Sequence, residues 1–270
     1  MLETFTALDP VLQAFIAGCM TWGVTLLGAA TLFLVRGFSQ RFLDGMLGFA
    51  GGVMIAASFW SLLLPSLEMT AGMGHFSWVP VAAGFAAGWA FLMVLDRVIP
   101  HLHIGLPVSM AEGTPSHLDR TILLVLAITI HNIPEGLAIG VAFGGAAAGV
   151  PEATLAGAIA LTAGIAIQNF PEGVAVAYPL CREGLPREQS FFYGQLSAAV
   201  EPLAACIGAA VVFFAHSVLP FALAFAAGAM IFVVIEEVMP ESLQHGFERY
   251  ALWGFLAGFL TMMALDVGLG

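Results

Sequence analysis

Eight apolar runs, each about as long as a bilayer crossing, limit what this chain can fold into. They cover about residues 11–35, 43–64, 78–97, 119–145, 152–180, 189–214, 217–239 and 248–269. A helix needs ~20 mostly apolar residues to cross a hydrocarbon core. Backbone amides in lipid must bond within their own segment, so runs of this kind become helices. Only 9% of the 270 residues are charged and the mean hydropathy is +0.97, against roughly 25% charged in a soluble domain. The chain reads as an all-α integral membrane protein, one membrane domain over residues 1–270. The first run follows an acidic stretch (Glu3, Asp9) with no convincing cleavage site, so it is expected to be a retained helix and not a signal peptide.

The net charge is −11, and all seven basic residues are arginines. No basic surface for nucleic acid is implied. Arg36 and Arg41 lie between runs 1 and 2, Arg97 and Arg120 flank the 3–4 connection, Arg182 and Arg187 lie between runs 5 and 6, and Arg249 lies at the 7–8 connection. The other side has none. The positive-inside rule then puts those four connections in the cytoplasm and both termini outside, in a cell (inner) membrane. Cys19, Cys181 and Cys206 form no CxxC pair, so neither a disulfide framework nor a thiolate zinc site is implied.

Internal repeats sharpen the picture. GFAAGWAFLMVLD (84–96) in run 3 returns as GFLAGFLTMMALD (254–266) in run 8, and FAGGVMI (49–55) in run 2 as FAAGAMI (225–231) in run 7. Runs 1 and 6 share only a faint GAA. Helices 1–3 therefore repeat as 6–8 around helices 4–5, a 3+2+3 arrangement. Five steps separate helix 1 from helix 6, so the copies cross the membrane in opposite directions. Inverted repeats with interrupted helices at their axis mark transporters that bind substrate near the midplane. The GxxxG pairs Gly84/Gly88 and Gly254/Gly258 provide close helix packing.

At the centre of that arrangement stand HNIPEG (131–136) and QNFPEG (168–173). On a helix, His131 and Asn132 share a face with Glu135, and Gln168 and Asn169 share one with Glu172. A proline precedes each glutamate and should free the carbonyl four residues back, that of Ile130 or Ile167. Glu201-Pro202 in run 6 follows the same logic. Ionisable groups cost about 2.5–3.5 kcal/mol at the bilayer centre, and these three glutamates have no basic neighbour in sequence. They are either protonated or gathered around a cation. One imidazole, three carboxylates and several amide oxygens suit a borderline divalent metal such as zinc, iron or manganese. Because amides are weak ligands, the metal would be released, as cargo is. No catalytic cofactor is called for.

Two further groups are candidates for a pathway. Met54, Ser61 and Glu68 are seven apart on run 2 and would lead from mid-membrane to the outer end, or simply share a stripe by chance. The repeat aligns Met230 with Met54 and Glu237 with Ser61. Glu236 and Glu237 would form an exit, or a solvated helix end. The 3–4 connection (about 98–118) carries His101, His103, Glu112 and His117 in a Gly-, Pro- and Ser-containing segment expected to be flexible. Those histidines either receive departing metal or are solvated without function.

The pair HNxPEG and QNxPEG, the following Glu-Pro helix and the eight spans resemble the ZIP (Zrt/Irt-like) divalent metal transporters, most closely the bacterial GufA-like branch. The resemblance covers essentially the whole chain. It implies uptake of divalent transition metal, usually Zn2+ and with Cd2+, Fe2+ or Mn2+ as possible cargo, by alternating access, and commonly a homodimer in the bilayer. It also implies a binuclear centre. One metal would take His131, Glu135, Gln168 and Glu172 with Glu201 nearby; the second would take Asn132, Asn169, Glu172 and Glu201, with a glutamate bridging. The same resemblance supports Met54, Ser61 and Glu68 as an entrance. Many members carry histidine at the position of Gln168, and some an acid at that of Asn169, so this chain should bind more weakly at the second site. A passive divalent-cation channel is the first alternative. An intramembrane zinc hydrolase is the second, and the lack of an HExxH motif counts against an enzyme.

Overall fold

The computed structural model describes residues 5–35, 37–103, 106–182 and 184–269. Glu3 and Arg36 fall outside these. Eight helices among the described residues are long and apolar enough to cross a membrane: α1 (Pro10–Phe33), α2 (Gln40–Phe76), α3 (Trp78–Val98), α4 (Arg120–Ala147), α5 (Leu155–Arg182), α6 (Arg187–Phe214), α7 (His216–Leu243) and α8 (Glu248–Leu269). All eight expected spans are present. α4 and α5 run without a break through Pro134 and Pro171.

α2 runs far beyond the expected end at residue 64, and α7 a few residues past 239. Each contains a proline, whose ring removes an amide and strikes the carbonyl four residues back. A local π turn accommodates it: Ser58–Leu63 precedes Pro65 in α2, and Val234–Val238 precedes Pro240 in α7. Widening the turn relieves the clash, so the helix bends its register instead of stopping. The two π turns occupy equivalent places in the repeat, since Ser58 and Val234 follow Phe49 and Phe225 at equal distance.

Packing repeats as the sequence does. α3 lies on α7 and α8 lies on α2, while α1, α4, α5 and α6 contact chiefly one another. A Cβ on Gly88 would sit 1.9 Å from the Phe225 carbonyl oxygen, and one on its counterpart Gly258 2.0 Å from that of Phe49. In return, Gly228 and Gly52 face the carbonyls of Phe85 and Phe255, each at 2.1 Å. Backbones approach this closely only where side chains are absent. In the central group the glycine of each PEG triplet does the same work: Gly136 abuts the Glu201 carbonyl and Gly173 that of Thr25.

The connection after α3 is not the flexible segment its composition implied. His101 and Glu112 pair as an isolated antiparallel bridge. Leu102 is fully buried against Leu123, Leu124, Val176 and Leu180, and this apolar anchor draws the segment back onto the bundle. His117 stays exposed.

Gly88→Ala and Gly258→Ala should each destabilise the protein by roughly 1–3 kcal/mol, the range for overpacking. Gly23→Ala, where no atom lies within 4 Å of the new Cβ, should change stability by less than about 0.5 kcal/mol. Thermal melts in detergent check this; equal melting of all three variants and the parent contradicts the packing account.

Candidate metal centre

Because α4 and α5 are antiparallel, with α6 packed on α4 at Gly136 and α1 packed on α5 at Gly173, polar residues of three helices are brought to the interior. Asn132, Glu135, Gln168, Asn169 and Glu201 are buried to within 1% of full occlusion. Glu135 faces the Glu172 carboxyl, and the charge of Glu201 lies close to both. Gln168 donates from Nε2 to Glu135 Oε1 at 2.5 Å. Asn169 donates from Nδ2 to both oxygens of Glu201, at 2.9 and 3.0 Å, and Thr21 of α1 donates to Glu201 Oε2.

Each amide thus spends its donor on a carboxylate and turns its carbonyl elsewhere. The Oδ1 atoms of Asn132 and Asn169, Oε1 of Gln168 and Oε2 of Glu135 are buried without any hydrogen-bond donor. A buried acceptor left unpaired costs about 1–3 kcal/mol. Four such oxygens on the helices that carry the three glutamates leave acceptors in excess of donors, the kind of oxygen-rich set that suits a hard-to-borderline cation.

His131 stands apart from this cluster. Its Nε2 bonds Glu237 of α7, not a group on α4 or α5. His131 and Glu172 border a cavity on the arginine-bearing side, with His103, Glu237 and Glu241 along it. His103 Nδ1 lies 3.0 Å from Glu237 Oε2. His101 is fully buried; its Nδ1 donates to the Ile99 carbonyl at 2.9 Å and its Nε2 lies 3.1 Å from Asp96 Oδ1. Donation of one ring nitrogen to a carbonyl is the arrangement that fixes the other as a ligand. Two cation-sized groups result, Asp96/His101/Glu237 and His101/His103/Glu112. Glu236, one residue from Glu237 and so turned away round the helix, is exposed.

A second cavity of about 350 Å³ opens on the opposite side, lined by Ser61, Glu68, Glu152 and Asp266 among others. Ser61 donates to Asp266 Oδ1 at 2.6 Å. Met54 does not reach it. Met54 on α2, Ile139 on α4, Leu161 and Ile165 on α5 and Met230 on α7 fall between the two cavities along their helices, all fully buried. The space between them is shut by apolar side chains.

The family model described as ZIP zinc transporter matches residues 108–266. Human zinc transporter ZIP11 is 40% identical over 336 aligned positions, covering 96% of this chain and 98% of its own. Zinc transporter GufA of Myxococcus xanthus is 36% identical, with 94% of this chain and 98% of its own covered. Zinc transporter ZIPB of Bordetella bronchiseptica is 40% identical over 95% of this chain and 81% of its own. The chain belongs to the ZIP family.

Within this ZIP chain the sequence reading passed over Thr21, Asp96, Glu241 and Asp266. For Asp96 and Asp266 a signal existed: they are the matching last residues of the α3/α8 repeat. They meet the repeat-related pair Glu237 and Ser61 on opposite sides of the membrane. Thr21 gave none, since a threonine on an apolar helix is ordinary.

Outside the spans, the hydrogen bond to Glu237 raises the His103 pKa to about 9; burial opposes this, and the charges of Glu237, Glu112 and Asp96 assist. A raised value in the folded state stabilises fully below the unfolded value of ~6.5, and that contribution is lost as pH rises through about 9. Histidine NMR of the metal-free protein should show His103 titrating near 9, and falling toward ~6.5 in Glu237→Gln. A value near ~6.5 in both proteins contradicts the pair.

Proposed function

We propose that this chain is a single transport unit carrying Zn2+ across the membrane, with Cd2+, Fe2+ or Mn2+ as further cargo. The reading rests above all on the four donorless oxygens of Asn132, Glu135, Gln168 and Asn169 beside three carboxylates. One metal takes Glu135, Gln168 and Glu172, with His131 joining when it leaves Glu237. A second takes Asn132, Asn169, Glu172 and Glu201, Glu172 bridging the two. The names of the relatives, all zinc transporters, support the choice of zinc.

The arginine-bearing side is the cytoplasm by the positive-inside rule, which puts both termini outside a cell membrane. Cargo then enters past Glu68, Ser61 and Asp266. It leaves past His131, Glu237 and His103 toward Asp96, His101 and Glu112. Apolar closure on the outer side with a polar cavity on the inner side supports alternating access over a passive channel. The group α1, α4, α5 and α6 moves against α2, α3, α7 and α8. A homodimer would use the outer face of α3, which like α8 is little buried. Weak amide ligands with no HExxH motif favour transit over hydrolysis.

Zinc uptake into proteoliposomes tests the assignment. His131→Ala and Glu172→Ala should each lower uptake at least about tenfold, the scale of losing a ligand or its support. Zinc preloaded inside should accelerate uptake. Full uptake in both variants contradicts the site, and a flux indifferent to internal zinc favours the channel.

A further inference from the structure

Away from the metal path, a groove of about 590 Å³ opens at the arginine-bearing end of the bundle. Phe42, Met46 and Phe49 of α2 form one wall, Tyr250 and Trp253 of α8 another, and Pro171 of α5 its base. Phe42, Tyr250 and Trp253 are exposed, Trp253 at 71%, so on a membrane-spanning bundle the groove faces lipid. Arg41 stands at its rim. Its guanidinium lies 5.1 Å from the Phe247 ring centroid and 5.9 Å from that of Tyr250. Among the described residues no carboxylate lies within ion-pair distance of Arg41. The rings hold the cation in place while its N–H fork is left for an anion, and that fork matches a phosphate. A tyrosine and a tryptophan beside it mark headgroup depth.

The inverted repeat supplies a comparison inside the molecule. A second groove of about 320 Å³ also separates α7 from the other helix group. It is lined by Leu137 and Val141 of α4, Gly208 and Val211 of α6, and Phe221 and Phe225 of α7, with α6 where the strict repeat of α8 would place α3. Phe221 and Phe225 are the repeat counterparts of Gly45 and Phe49. Its lining carries no charged residue. An apolar cleft between the two helix groups is therefore a product of the fold, whereas the arginine belongs to one copy only. That copy faces the leaflet where anionic lipids concentrate, if the arginine side is cytoplasmic.

We propose that an anionic phospholipid binds here, its phosphate on Arg41 and an acyl chain in the groove against Pro171. The chain would lie between α5 of one helix group and α2 and α8 of the other. It would touch the residue next to Glu172 and so bear on the relative movement of the two groups; this part rests on the transport reading, whereas binding does not.

Delipidated protein titrated with phosphatidylglycerol or phosphatidylcholine of identical chains, and read by native mass spectrometry, tests binding. Phosphatidylglycerol should be retained about five- to tenfold better, an advantage lost in Arg41→Gln. Met46→Trp, which fills the groove, should lose both lipids. Equal retention of phosphatidylglycerol by parent and Arg41→Gln overturns the site, as does displacement of the lipid by millimolar inorganic phosphate. Zinc uptake should run severalfold faster in phosphatidylglycerol vesicles for the parent but not for Arg41→Gln. Equal stimulation of both would reflect zinc gathered at the charged surface and overturns the coupling. Zinc uptake absent in every lipid while the adduct persists would count against the transport reading alone.

Discussion

Carboxylates gathered in a dry interior repel one another, and each disfavours its neighbour's charge. Glu135, Glu172 and Glu201 meet where α4, α5 and α6 converge, and among the described residues no arginine forms an ion pair with them. The amides of Gln168 and Asn169 and the hydroxyl of Thr21 soften this by donating to Glu135 and Glu201. In doing so they leave amide oxygens facing inward with no donor. The centre is thus incomplete in a particular chemical sense: it has acceptors in excess and lacks positive charge. Much else in the fold serves to hold that incompleteness inside the bilayer. PEG glycines let α6 and α1 close on α4 and α5, and fully buried side chains lie between the centre and the Ser61–Glu68 cavity.

The inverted repeat explains both the symmetry of the frame and its failure at the centre. Glycine-to-carbonyl contacts, π turns and terminal aspartates recur in pairs. Gly136 on the backbone of α6 at Glu201 and Gly173 on that of α1 at Thr25 keep the pairing of helices. Among the central residues it breaks where His131 answers to Gln168. The imidazole lies at the cavity on the arginine-bearing side and turns to Glu237, whereas the amide is fully buried. A symmetric frame can present the same centre to either side, while unequal side chains make the two sides chemically different.

Spans, repeat and central residues were legible because each rests on a strong local signal: apolar length, identical spacing, or a polar group where lipid makes it expensive. What was not legible depended on tertiary packing. A stripe of residues seven apart presumes an unbroken α-helix, but a π turn lies between Met54 and Glu68. Ser61 and Glu68 reach the cavity on the side opposite the arginines, whereas Met54 sits in the closed core. Glu236 and Glu237 are neighbours in sequence and face different surroundings. Composition marked the 98–118 connection as loose, yet one leucine, Leu102, anchors its described residues and brings His103 to the cavity, with His101 fully buried beside it. Thr21 bonds a residue 180 positions away, a pairing no local pattern encodes.

Zinc-edge anomalous diffraction from crystals grown with Zn2+ tests the central claim most directly. Density is predicted in the space enclosed by Asn132, Glu135, Gln168, Asn169, Glu172 and Glu201, with nitrogen and oxygen ligands at about 2.0–2.2 Å. Density confined to the His101, His103 and Glu112 group, with the six-residue space empty of metal, would contradict it.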